Sequence, residues 1–331
     1  MKIISILLFI FIISNAFVQS ANAQFKAERF FSPILELGSQ YNFKTKFIGN
    51  GEDISQRSYS LRYTRPLLTK VSKGKESGTF SVYSLQTILQ GQWIQPRSEI
   101  FPLTYDLYDT RVGLRAILFP GGKHLFLATG TVIFKGDQKT FLRFRNIFNA
   151  SLLYHYRINQ NTGVHIGAAF TDQLDKTRMV PLLGLFYKNY PLNISLFLPV
   201  SARIQYAINS KIKPFVMANV NGYNMQVQDM AYMRRDIDRF ADIRNRSINI
   251  AAGFNLRFHK GLRIEIAGGI LRNATYNFVP DIYDSKPDAK KLNGGFASLK
   301  LFFSDGYENK TSHAFNYLEK TGLNNSTFFY D

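Results

Sequence analysis

The amino-acid sequence predicts an all-β fold, an antiparallel transmembrane β-barrel of about 14 strands, with 12 as the alternative. Three observations carry this reading: apolar and polar residues alternate with period two, many alternating runs exceed ten residues, and short connections take turns with long ones. Alternation marks a strand, whose successive side chains point to opposite faces. Ordinary strands peak near five or six residues, whereas roughly 9 to 11 are needed to cross a bilayer at a tilt.

The chain has 331 residues, 30 Phe, 18 Tyr, no cysteine and a formal net charge of +18. The lack of cysteine excludes a disulfide scaffold, a thiolate metal site and a cysteine nucleophile. A mean hydropathy of −0.13 argues against a helical membrane bundle, and dense aromatics with 19% charged residues argue against disorder. Residues 1–23 carry one charge at Lys2, an apolar run from Ile3 to Ile13 and a small-x-small ending Ala21-Asn22-Ala23. This is the pattern of a secretory signal cleaved after Ala23, and the run is too short for the roughly 20 apolar residues of a spanning helix. Export, with Lys and Arg spread along the chain instead of clustered, removes nucleic acid as the expected partner.

After a short periplasmic segment, 24–33, the barrel is expected over 34–303. The first strand sets the pattern, with Leu35, Leu37, Tyr41 and Phe43 on one phase and Glu36, Gln40, Asn42 and Lys44 on the other. Val112, Leu114 and Ala116 oppose Arg111, Gly113 and Arg115. Leu152, Tyr154 and Tyr156 oppose Ser151, His155 and Arg157, and Ile250, Ala252 and Phe254 oppose Asn249 and Asn255. Candidate strands are 34–47, 56–68, 78–94, 105–118, 124–134, 141–157, 163–171, 179–188, 192–198, 201–208, 212–225, 246–258, 262–278 and 294–303. The stretch 192–208 reads as one strand until it is broken at Pro199, which restores the rhythm of short periplasmic turns and longer external loops. Apolar residues then face lipid and polar ones the lumen. Tyr41, Tyr59, Tyr63, Trp93, Tyr105, Tyr156, Tyr190, Tyr223, Tyr276 and Phe303 near strand ends suit two interfacial girdles. One segment breaks the period: Met230, Met233, Ile237, Phe240 and Ile243 recur at helical spacing, which predicts a short amphipathic helix over 229–245 in an external loop.

The chain resembles the uncharacterised outer-membrane β-barrel proteins of Bacteroidota. The resemblance rests on the signal peptide, the Phe119-Pro120-Gly121-Gly122 turn, Leu198-Pro199 followed by Ile204-Gln205-Tyr206, and the strand Gly294 to Phe303. It implies a cell outer-membrane location in a Gram-negative bacterium and contact with outer-membrane lipid. The last strand is similar to the aromatic-ended signal that barrel-assembly machinery reads, although 304–331 follow it as a periplasmic tail.

The polar phase places Arg62, Arg111, Arg115, Arg143, Arg145, Arg157, Arg203, Arg257 and Arg263 in the lumen, with Glu36, Asp109 and Glu265 as the acids. Such a lumen prefers small anionic solutes by focusing positive potential, as a passive channel or transport-associated barrel would use it. The alternative is a closed barrel with a structural or surface-binding role, its arginines paired with acids. A third class, a lipid-modifying enzyme at the rim, finds no nucleophile motif among the five histidines, so no catalytic residue and no cofactor is assigned. His155 and His165 flank one turn on the polar phase and are the weak metal candidates, two imidazoles short of a third ligand.

Overall fold

Long β-branched and aromatic-rich runs broken at Gly, Pro and Asn become 14 antiparallel strands in a computed structural model. It describes residues 34–46, 53–73, 80–98, 106–121, 123–137, 140, 148–171, 178–228, 240–259, 261–280 and 288–304. The strands are β1 (Ile34–Lys46), β2 (Asp53–Lys73), β3 (Phe80–Ser98), β4 (Leu107–Gly121), β5 (His124–Gly136), β6 (Phe148–Arg157) and β7 (Thr162–Thr171). They continue as β8 (Arg178–Asn189), β9 (Leu192–Leu198), β10 (Ser201–Tyr206), β11 (Ile212–Gln228), β12 (Phe240–His259), β13 (Leu262–Pro280) and β14 (Asp288–Ser304). Each pairs with its neighbours in sequence, and β1 pairs with β14, Leu35 opposite Phe303 and Asn42 opposite Phe296, so the sheet closes on itself. Closure leaves no edge strand.

The break at Pro199 is real. Val200 N–H donates to the Phe197 carbonyl at 2.8 Å, and the hairpin places Ala202 opposite Leu196. Asparagine does the same work at two opposite turns, where Asn159 Oδ1 accepts from the N–H of Asn161 and Thr162, and Asn209 Oδ1 from Lys211 and Ile212. These are Asx turns. The segment expected to be helical is corrected in part: 240–245 belong to β12, while 229–239 lie outside the described residues. The leader with Ala23, the segment 24–33, Arg143, Arg145 and 305–331 also lie outside them.

Strand length divides the wall. β2, β3, β12 and β13 have 21, 19, 20 and 19 residues, whereas β9 and β10 have 7 and 6. The two short strands fall below the roughly 9 to 11 residues that cross a bilayer at a tilt. Among the described residues, Asn221–Gln228 of β11 therefore pair only with β12, and the wall dips between β8 and β11 at the long-loop end. On the far side of the lumen β11 approaches β5 to Cα separations of 8 Å or less.

Outside, the barrel is apolar: Leu114, Leu152, Ile166, Val216, Ile250 and Ile266 are all exposed. Outward aromatics collect at two levels. Near the long-loop end Trp93 lies between Tyr59 and Tyr108, at ring separations of 5.5 and 6.4 Å, and Tyr41 contacts Phe43. Near the short turns His124 packs against Tyr154 and Tyr156, its Nδ1 2.8 Å from the Tyr154 hydroxyl. Gly136 stands opposite Tyr108, twelve residues along β5 from His124. At about 3.3 Å per residue and a tilt near 45°, the two levels lie roughly 28 Å apart along the axis. Tyr223, expected in a girdle, instead points inward, where its hydroxyl donates to Gln56 Oε1 at 3.3 Å.

Candidate functional site

The inner face is not uniform. Strands β3–β6, β8 and β9 contribute one buried apolar cluster, with Val82, Phe119, Leu125, Leu153, Leu182 and Phe197 among its members. At the long-loop end a second apolar layer crosses the lumen, Ile54, Ile94 and Leu107 from one wall meeting Met225, Ile243 and Leu292 from the other. Beneath that layer lies a cavity of about 140 Å³, bounded by β1–β4 and β11–β14. One water needs about 10–15 Å³ on the same measure, so the cavity holds several.

Neutral amides and hydroxyls dominate this cavity. Their i, i+2 spacing puts neighbours on one face of a strand, and they bond in ladders: Gln40 Nε2 donates to Asn42 Oδ1 at 2.8 Å, Asn219 Nδ2 to Asn221 Oδ1 at 2.9 Å, and Ser247 Oγ to Asn249 Oδ1 at 3.1 Å. Two buried acceptors bordering it, Gln90 Oε1 and Asn219 Oδ1, have no hydrogen-bond partner among the described residues. Each such acceptor costs about 1–3 kcal/mol until a donor arrives. This amide wall escaped the sequence reading because neutral polar residues carry no charge signal. The available clue was the recurrence of Asn219, Asn221, Asn245 and Asn249 on the inward phase of β11 and β12.

The inner face carries the ion pairs Arg111–Asp109, Arg203–Glu265 and Lys300–Glu36. Arg111 makes a two-point contact with Asp109, Nε to Oδ1 at 2.9 Å and Nη2 to Oδ2 at 2.6 Å, both side chains buried. The planar guanidinium fork fits a carboxylate in this way. Arg203 reaches past β11 and β12 to Glu265 at 2.8 Å and lies 3.9 Å from the Phe215 ring centre. Lys300 Nζ stands 3.8 Å from Glu36, which is opposite Arg62 in register. Arg62 and Arg115 are buried in the interior. Arg257 faces Arg263 across β12–β13, Arg263 stacks 5.4 Å over Phe302, and Arg157 donates from Nε to the Asn159 carbonyl at the turn. Glu36, Asp109 and Glu265 are thus each met by a cation.

His155 and His165 are brought together, directly opposite in register with Nδ1 atoms 3.1 Å apart and ring centres 4.5 Å apart. One Nδ1 must donate to the other, so the two rings hold different tautomers. Room for the rings comes from glycine. A Cβ on Gly163 would fall 2.5 Å from His155 Cε1, and one on Gly184 would fall 2.9 Å from His165 Cδ2. Phe186 and Phe197 enclose the pair. Among the described residues no group of three His, Cys, Asp or Glu side chains is placed to hold a metal ion.

No protein-family model and no curated protein matches the chain. Solved structures similar to it include an outer membrane channel from Pseudomonas putida F1, with a TM-score of 0.41 and 8% identity over 83% of this chain and 96% of that one. The NanC porin gives 0.34 and 7% over 81% and 98%. The transport unit of the autotransporter AIDA-I from Escherichia coli gives 0.32 and 8% over 88% and 96%. The fold assignment rests on the closed strand pairing itself.

Proposed function

We propose that the chain is an exported outer-membrane β-barrel of a Gram-negative bacterium, acting as a passive channel or transport-associated barrel whose lumen prefers anions. One observation carries the reading: an apolar outer face lies between two aromatic levels and surrounds a polar, water-sized interior. Their separation of roughly 28 Å is close to the apolar band of about 25 Å on outer-membrane barrels. Closure supports it as well, because hydrocarbon tolerates no open sheet edge. The excess of inward arginine over Glu36, Asp109 and Glu265 supports the anion preference. Outer-membrane lipid, barrel-assembly machinery and small anionic solutes are the partners this reading brings, and the Bacteroidota resemblance fits it.

A second reading has its own observation. The buried cluster on β3–β6, β8 and β9 and the apolar layer led by Ile94 and Met225 narrow the lumen, which favours a closed barrel with a structural or surface-binding role. Planar-bilayer recording of refolded protein separates the two. A channel gives discrete conductance and, under a KCl gradient, a reversal potential on the chloride side. A heat-modifiable, folded barrel that never conducts establishes the closed reading, and potassium selectivity overturns the anion preference.

A further inference from the structure

We propose that the outward face of β12–β14 and β2, where these strands leave the apolar band at the long-loop end, binds the phosphates of an outer-leaflet lipid. This rests on the membrane reading and names the headgroup chemistry. Four strands change character in the same way. Outward along β12 the side chains run Phe254, Ala252, Ile250 and Ile248, and then Arg246. On β13 the exposed Ile266 and Ile270 give way to Arg272. On β2 Leu61 and Tyr59 give way to Arg57, whose guanidinium lies 5.4 Å from the Tyr41 ring centre. On β14 the exposed Leu299 is followed toward the loop by Ala297, Gly295, Asn293 and then Lys291. Arg57, Arg246, Arg272 and Lys291 are all exposed.

Register gathers three of these cations. Arg246 is opposite Thr275 and Thr275 is opposite Lys291, so Arg246 and Lys291 stand in one row, two strands or about 10 Å apart. Arg272 is opposite the exposed Ile248 and shares its face. A bulge marks the spot: the β13–β14 register shifts between Leu271 and Ala274, Asn273 takes a φ of 49°, and its N–H donates to Asn293 Oδ1 at 3.0 Å. The extra residue leaves Arg272 and Asn273 exposed together while Ala274 returns to the interior. Among the described side chains, the acid on this stretch is Asp53, and Lys44 lies 3.1 Å from it. A guanidinium binds phosphate through paired N–H donors, and cations set at the edge of the hydrocarbon attract anionic headgroups. A soluble anion has no use for the isoleucines directly beneath. A lipid lays its acyl chains on them.

The test titrates full-length protein, refolded in detergent, with bisphosphorylated lipid A, phosphatidylcholine and glucose 1,6-bisphosphate in turn, followed by native mass spectrometry. Lipid A should bind on the order of tenfold more tightly than phosphatidylcholine, whose headgroup is neutral overall, and than the sugar bisphosphate, which lacks acyl chains. The triple change Arg246→Gln, Arg272→Gln and Lys291→Gln should remove most of that preference, whereas Lys123→Gln with Lys211→Gln at the short turns should leave it intact. Lipid A bound no more tightly than either comparison probe, or equal losses in the two sets of variants, overturns the proposal. The probe series needs no variant, so a triple variant that fails to fold, judged by the heat-dependent gel shift, leaves the test standing. A folded barrel without the preference loses this inference alone, and a chain that stays soluble without detergent loses the membrane reading itself.

Discussion

The two halves of the lumen are built from the same closed sheet and solve opposite problems. Around β1–β4 and β11–β14 the inner face is amide, hydroxyl and paired charge, and it encloses the cavity. On β3–β6, β8 and β9 it carries a buried cluster of Leu, Val, Ile and Phe, with a histidine pair held against Phe186 and Phe197. The wetter half has the longer strands, and the drier half contains the seven-residue β9. A barrel of 14 strands is intermediate in width, between barrels that side chains fill and wide aqueous pores. This one does both, filling one sector and hydrating the other.

The comparison breaks first at the buried ion pair. Arg111→Gln leaves Asp109 buried against a neutral partner, and loss of one partner of a buried pair costs about 3–5 kcal/mol. Urea unfolding in lipid vesicles should show that loss, while the double change Asp109→Asn with Arg111→Gln recovers most of it. Equal stability of the single variant and the native chain would mean that water reaches Asp109 freely, so that the pair is not dry.

A second, smaller contrast sets the two sectors side by side. Leu153→Ala in the filled sector removes a side chain with 1% exposure and should cost about 2–5 kcal/mol. Asn221→Ala on the cavity wall exposes its neighbours to water already present and should cost under about 1 kcal/mol. The same unfolding measurement checks both. Equal costs would erase the distinction between filled and hydrated sectors.

The outward face is legible because different surroundings on the two faces of the sheet enforce period two: Leu114, Leu152 and Ile250 all point out as the alternation requires. Toward the long loops the rule inverts. At the long-loop end of β12, Ile243 turns inward and Arg246 outward, because both faces no longer meet the same solvents. Read in isolation, Phe240 and Ile243 keep a spacing of three and suggest a helix, which delays the expected strand to 246, whereas β12 starts at Phe240. The filled sector was legible in principle. In β8, Met179 to Phe186 is apolar on both phases but for Pro181 and Gly184, which is what a strand between an apolar outer face and a packed interior requires. The pairings of the arginines are not legible in the sequence, since Arg203 meets Glu265 across 62 residues and only closure brings them together.

Because the chain contains no cysteine, single substitutions report on one site at a time. The most direct test compares thiol reactivity in lipid vesicles at outward positions (Leu114→Cys, Leu152→Cys), at the cavity wall (Ser60→Cys) and in the filled sector (Leu127→Cys). An aqueous methanethiosulfonate should modify the cavity site readily and the filled site slowly, while the outward sites respond only to a lipid-soluble maleimide. Outward thiols that react with the aqueous reagent as fast as the cavity thiol would contradict a lipid-facing barrel.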